Sequence, residues 1–303
     1  MITGANAGIG KNVAKQLAFL NDTEKIYLAC RNESKAIKAK KELEEQTGKA
    51  FFEIIIMDLS DLISVKKAVS LLNTPIDALI MNAGGSGGKT PLTLTKDGVT
   101  TIFATNVLGH VVLLEELIKA NKLNNVALFA GSEAARGIPK MGMKRPDLKT
   151  SSSDEFASII NGEYFSDKKF SSPLAYAQVK YIGAMWMASL SRENPSLKFI
   201  TMSPGSTQGT ETASDFPKAF QFVYNNILMP VILPLMGMSH SLDKGTKRIT
   251  DGINDSSLKS GVFYASKEKV LTGPIIDQST IFPDLKNETF QDNANAAVHR
   301  FIH

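Results

Sequence analysis

The sequence predicts an α/β domain built on a doubly wound parallel sheet. Short β-rich runs alternate along the chain with segments of helical period, which is the pattern of repeated strand, crossover helix, strand units. A glycine-rich turn, Gly4 to Gly10, opens the first helical segment. No linker rich in Pro, Gly and Ser divides the 303 residues, so one domain spanning 1–303 is the economical reading.

The strand candidates are Lys25 to Ala29, Phe51 to Met57, Ile76 to Met81, Val126 to Ala130, Phe199 to Met202 and Val262 to Ala265. In the helix after Gly10, Val13, Leu17 and Leu20 fall on one stripe; in the helix opening at Ser60, Val65, Val69 and Leu72 do the same. Each stripe can cover one face of the sheet. Only Met1 and Ile2 precede the turn, where a doubly wound sheet runs a central strand of about five or six residues. The expectation is a record that begins inside its gene, with most of the first strand missing.

Composition excludes several classes of function. Hydrophobic residues at 43% and charged residues at 21% are globular values, which leave no room for a disordered or fibrous chain. The net charge of +4 is too weak a field to imply nucleic acid. The densest basic stretch, Lys35 to Lys41, is interleaved with Ala36, Ile37 and Ala39 and followed by Glu42, Glu44 and Glu45, as on the wet face of a helix. Cys30 stands alone, so no disulfide forms within the chain, and Met1 to Gly10 carries no secretory pattern. A cytoplasmic setting is expected. Uninterrupted apolar runs stay shorter than the roughly 18 residues of a membrane span. Ile227 to Met238, broken by Pro230 and Pro234, reads as a buried wall or an interfacial lid.

Thr3-Gly4-Ala5-Asn6-Ala7-Gly8-Ile9-Gly10 lets backbone N–H groups and a helix N-terminus approach a diphosphate. A P-loop is excluded, because Gly4 and Gly10 enclose five residues rather than four and Asn12 replaces the magnesium-binding hydroxyl. After the next strand, Arg31-Asn32 occupies the place where a dinucleotide site reads the adenosine ribose. Arg31 offers a fork to a 2′-phosphate, favouring NADP(H) over NAD(H).

Tyr176 and Lys180 lie one helical turn apart on a common face. At about 5 Å and an effective dielectric near 20, the ammonium would favour the phenolate by roughly 3 kcal/mol, or about two pKa units. That predicts a tyrosine of lowered pKa, able to act as acid or base. His110 has no partners at metal-ligand spacing and is expected to be a packed helix histidine; no metal site is expected.

Taken together, these residues resemble the short-chain dehydrogenase/reductase family over nearly the whole chain. The marks stand in order: Thr3 to Gly10, Asp58-Leu59, Asn82-Ala83-Gly84, Asn106, Ser132, Tyr176 with Lys180, and Pro204-Gly205. The resemblance implies a Rossmann-type fold, a bound NADP(H) and hydride transfer between nicotinamide and substrate. It implies that Asp58 contacts the adenine, that Asn82, Ala83 and Gly84 line the cofactor cleft, and that Lys180 holds the nicotinamide ribose. Ser132 would position the substrate oxygen, Tyr176 would exchange its proton, and Asn106 would support a water relay behind Lys180. Read singly, Asn82, Asn106 and Ser132 are turn or capping residues.

Two features depart from the family pattern. Thr207 and Thr210 straddle the place of a threonine that grips the nicotinamide amide, with Thr207 the candidate. Ser132 and Tyr176 lie 44 residues apart, so Gly137 to Ser172 reads as an insertion folding over the cleft. Its Met141, Met143, Phe156, Ile159, Ile160, Tyr164 and Phe165, with an expected substrate lobe over residues 207–245, favour an apolar small-molecule substrate. The lobe's composition, Phe216, Phe220, Phe222, Val223 and Tyr224, fits that expectation.

Ala29-Cys30-Arg31, Asn106 to His110 and Ser260 to Tyr264 resemble the retinol-dehydrogenase-like branch and light-dependent protochlorophyllide reductase. The pigment-reducing alternative is weakened because Cys30 belongs to the cofactor side. A non-catalytic dinucleotide sensor or scaffold is the alternative of another class, and Ser132, Tyr176 and Lys180 argue against it. A homo-oligomer is what the family suggests.

Overall fold

The computed structural model describes residues 1–208 and 224–303, the side chains of the second stretch from residue 228. The strands are β1 Ile2–Thr3, β2 Ile26–Cys30, β3 Phe52–Ile56, β4 Ile76–Met81, β5 Leu123–Ala130, β6 Lys198–Met202, β7 Val262–Ser266 and β8 Ile275–Asp277. They form one sheet in the order β3-β2-β1-β4-β5-β6-β7-β8. All pairs are parallel except β7 with β8, where Tyr264 faces Asp277 in an antiparallel hairpin missed by the sequence reading. The order reverses between β1 and β4, which opens a crevice at the carboxyl edge of the sheet, where such folds bind ligands.

The helices are α1 Gly8–Leu17, α2 Glu33–Thr47, α3 Leu62–Ser70, α4 Thr101–Lys119, α5 Ser153–Ile160, α6 Ser172–Glu193, α7 Leu242–Asn254 and α8 Glu288–His299. On one face α1, α2 and α7 cover Ile2, Leu28, Ile80, Leu128 and Ile200; on the other α3, α4 and α6 cover Met81, Phe129 and Phe199. Val13, Leu17, Val65, Val69 and Leu72 are buried as their stripes require, whereas Leu20 lies beyond α1 and is exposed. The basic stretch on α2 is a solvated face laced by Lys38–Glu42, Lys40–Glu44 and Lys41–Glu45 pairs. α4 is long and apolar enough to cross a membrane by length and composition, but it is mostly buried inside the protein.

Gly137 to Ser172 contributes side chains to two hydrophobic clusters. Glu155 collects the backbone N–H groups of Lys149, Thr150 and Ser151 and so winds the chain into α5. Phe156, Ile159, Ile160 and Phe165 then join the core beside α6 and α8, with Phe156 against Tyr181 and Tyr181 stacked on Phe282. The turn around Ile138 and Met143 belongs to a separate small cluster. There it packs with Met238, Leu271 and Leu233.

Of Ile227 to Met238, Met229 and Met238 are buried, while Val231, Ile232, Leu235 and Met236 are exposed. Thr210, Phe216, Phe220, Phe222 and Val223 lie outside the described residues, as does the side chain of Tyr224.

Candidate active site

The glycine turn is tied to its neighbours by one hydroxyl. Thr3 Oγ1 accepts the backbone N–H groups of Asn82 and Ala83, each at 2.9 Å, while Asn82 Nδ2 donates to the Thr3 carbonyl at 3.0 Å. With both lone pairs occupied, the Thr3 proton goes to His110 Nε2 at 2.9 Å, so Nδ1 carries the ring hydrogen and donates to the Asn106 carbonyl at 3.0 Å. Burial, with Lys180 nearby, holds His110 down at about 3, which fixes it as the neutral tautomer this network needs. The packed-histidine expectation thus gains a specific task. Asn106 sits in a π-helical turn, Ala104–Leu108, within α4. Its amide is spent on Gly85 N and O and on Ile102 O, so here it anchors the Gly84-Gly85 backbone.

The N-terminus of α1 has no side-chain cap and no acid in its first turn. Gly8, at φ +51°, has open space beside it, and a Cβ there would meet nothing within 4 Å. Gly10 is the opposite case: its Cβ would stand 2.5 Å from the Gly4 carbonyl and 2.6 Å from Asn82 Nδ2. Gly10→Ala is expected to cost about 1–3 kcal/mol by overpacking, read as a fall in thermal midpoint; an unchanged midpoint would contradict this tight approach.

Ser132, Tyr176 and Lys180 come together at the carboxyl end of β5. Ser132 caps the short 3₁₀ turn Glu133–Arg136, with its hydroxyl accepting Ala134 N–H at 3.2 Å. Ser171 and Pro173 start α6 so that Tyr176 falls in its first turns, where its hydroxyl hydrogen-bonds Ser132. One turn on, Lys180 Nζ donates to the Ala130 carbonyl at 2.9 Å and lies 5.6 Å from the Tyr176 ring centre. A Cβ on Gly84 would come 2.3 Å from Asn106 Oδ1 and 3.5 Å from Lys180 Nζ, so three sequence marks meet at one point.

The electrostatics overturn one expectation. Burial pushes Tyr176 up to about 12; the Ser132 hydrogen bond opposes that shift and the charge of Glu133 adds to it. Burial also brings Lys180 down to about 7. The Coulombic argument from spacing set a screened attraction against no desolvation cost, whereas both groups lose hydration and desolvation wins.

Pro204 and Gly205 follow β6. Thr207 is buried, its hydroxyl donating back to the Pro204 and Gly205 carbonyls at 3.2 and 3.1 Å, so it braces this turn. Arg31 is 72% exposed with its Nε only 4.0 Å from Asp58, and Asn32 caps α2. Asp58 Oδ1 accepts from Ser60 N and Oγ at 2.9 and 2.7 Å, while Leu59 packs under Gly109. Cys30 lies beneath the glycine turn, its thiol pushed up to about 11 by burial, against N–H contacts from Ala5 and Asn6. It is therefore remote in kind from a pigment-pocket cysteine. No cluster of metal-ligating side chains exists among the described residues.

Sequence reasoning missed the buried Glu133 and Arg136 and the largely covered Arg248, three charges at this edge. The adjacency of Glu133 to Ser132 was the one available signal.

Residues 1–136 match the family described as short chain dehydrogenase. The chain is 30% identical over 208 residues to dehydrogenase/reductase SDR family member 12 of Bos taurus, an alignment covering 68% of this chain and 59% of that protein. A crystal structure of an uncharacterized protein from Mycobacterium Paratuberculosis superposes with a TM-score of 0.69 at 21% identity, covering 99% of this chain and 91% of that one. NADPH-bound carbonyl reductase from chicken fatty liver gives a TM-score of 0.58 at 17% identity over 90% of this chain and 97% of its own. Those two share the fold. With the ordered marks gathered at one sheet edge, the chain belongs to the short-chain dehydrogenase/reductase family.

Proposed function

We propose that this protein is an NADP(H)-dependent oxidoreductase acting on an apolar carbonyl or alcohol, with Tyr176 exchanging the proton. The observation that carries the reading is the convergence of Ser132, Tyr176 and Lys180 beside the Gly84 backbone at the sheet's carboxyl edge.

The residues present fit a dinucleotide. The uncapped N-terminus of α1 and the open space at Gly8 suit a diphosphate, and Arg31 with its weak hold on Asp58 is free to meet a 2′-phosphate. When bound, the nicotinamide supplies or accepts the hydride. The protein's own part is the proton and the orientation. A phenol held up at about 12 keeps its hydrogen at neutral pH, so Tyr176 is set to donate to an oxygen becoming an alkoxide, a stronger base than phenolate. Ser132 shares a hydrogen bond with that phenol and orients the same oxygen. Carbonyl reduction is thus the favoured direction near neutrality, and alcohol oxidation should gain with rising pH. The Ile138, Met143, Met238 and Leu271 cluster near the Pro204-Gly205 turn supports an apolar substrate.

Mixing the protein with NADPH and a panel of apolar aldehydes, ketones and quinones, and following the nicotinamide absorbance, tests this. Oxidation of NADPH by a member of the panel is expected; tight binding without oxidation by any of them would favour a sensor. Arg31→Ala is expected to raise the KM for NADPH about 10- to 100-fold, the loss of one charge-assisted contact, and to leave NADH nearly unchanged. Equal effects on both cofactors would remove Arg31 from the 2′-phosphate.

A further inference from the structure

The residue after Ser132 is a buried carboxylate that reaches across three strand ends. Glu133 is 3% exposed. Its Oε2 accepts the Ser203 hydroxyl at 2.5 Å, and its Oε1 accepts the backbone N–H of Ser266 at 3.1 Å and faces Arg248 Nη1 at 3.7 Å. Ser203 in turn accepts Gly205 N–H at 3.0 Å. Arg248 comes over from α7, donating to Ser266 Oγ at 2.9 Å, the Gly273 carbonyl at 2.7 Å and the Ser203 carbonyl at 3.4 Å. It lies so close that a Cβ on Gly205 would be 2.9 Å from its Nη1.

The far end of the same turn is fastened in the same way. Arg136, also 3% exposed, donates to the carbonyls of Gly137, Ser266 and Lys267 at 3.0, 3.1 and 3.0 Å and to Gln278 Oε1. The carboxyl ends of β5, β6 and β7 are therefore laced together by two guanidiniums and one carboxylate. Stability alone does not call for this arrangement, because a buried ion pair can often be exchanged for apolar side chains at no loss.

We propose that Glu133, held by Arg248, is a positioning residue that sets the Ser132–Tyr176 pair against the Pro204-Gly205 turn for hydride and proton transfer. The inference rests on the proton-exchange reading of Tyr176 given above. One strand end presents the groups that handle the substrate oxygen and the next presents the turn beside the cofactor cleft. Their separation is fixed by a side chain adjacent to Ser132 itself. The same carboxylate adds negative charge near the Tyr176 phenol and helps keep it protonated. The phenol is faced by Ser132 and Glu133 from the β5 turn and by Lys180 on its own helix. Glu133 is faced by Arg248, Ser203 and Ser266, with Arg136 and His240 near.

Two variants test the proposal: Glu133→Gln, and the neutral pair Glu133→Gln with Arg248→Met, which removes both charges of the pair and leaves Arg136 its carbonyl partners and the Glu268 charge. Each is measured for reductive kcat, NADPH KM, thermal midpoint and the pH dependence of alcohol oxidation, beside Tyr176→Phe. The double variant is expected to melt close to the wild type, lose about 10- to 100-fold in kcat with NADPH KM changed less than about three-fold, and begin its rise in oxidation rate about one pH unit lower. A double variant with wild-type kcat and an unmoved pH profile overturns the proposal, and so does one that cannot fold, which would give the pair to the fold alone. If Tyr176→Phe is inactive while the double variant is normal, only this inference falls; if Tyr176→Phe turns over normally, the reading beneath it falls too.

Discussion

Tyr176→Phe is expected to lower carbonyl reduction by about 10²- to 10⁴-fold, the usual worth of a positioned proton donor, while NADPH binds within about three-fold of wild type. Phenylalanine keeps the ring in its place at the start of α6 and removes only the hydroxyl bonded to Ser132. Ser132 retains its hold on Ala134 N–H, so stability should change by about 1 kcal/mol or less. Steady-state turnover with an apolar carbonyl, read beside cofactor binding by fluorescence, checks both halves. A variant that turns over at the parent rate would remove the phenol from the chemistry.

The second large effect combines lost activity with gained stability. Lys180 is buried, donates to the Ala130 carbonyl, and is lowered from 10.5 to about 7 by burial. Between those two values the unfolded chain carries a proton that the native site does not, so stability rises with pH across that window. Below about pH 7 the native protein must keep a buried ammonium, and the cost is largest there. Lys180→Met fills similar volume without the charge. It is expected to raise stability by about 1–3 kcal/mol below pH 7, after the lost hydrogen bond is deducted, with the gain fading as pH rises toward 10.5. Reductive kcat should fall by about 100-fold or more, because no cation then stabilises the phenolate as it forms. Denaturant melts at several pH values decide the first part; a variant less stable than wild type below pH 7 would contradict it. In the wild type, reduction should decline as pH rises through about 7, when Lys180 gives up its proton.

What the sequence made legible was what lies close along the chain. Strand runs, the Gly4 to Gly10 turn and the one-turn step from Tyr176 to Lys180 are local patterns, and each is where the sequence put it. The failures come from packing. For the insertion's Phe156, Ile159 and Ile160, a buried helix flank and a pocket wall call for the same composition, so their place in the core beside α6 and α8 is not legible in sequence. The sign of the Tyr176 shift depends on how much water both groups lose, which spacing does not contain. Glu133 and Arg248 are 115 residues apart in sequence, and their pairing exists only once β5, β6 and β7 are side by side. His110 was rightly read as packed, though its bond to Thr3 spans the turn and the α4 helix in a way no periodicity shows.

A crystal structure of the protein grown with NADPH would test the central claim most directly. The account predicts the nicotinamide ring lying beside the Tyr176 and Ser132 hydroxyls, with the diphosphate over Gly8 and the 2′-phosphate within reach of Arg31. A ring seated away from Tyr176, or a phenol turned from it with Ser132 bonded elsewhere, would contradict it.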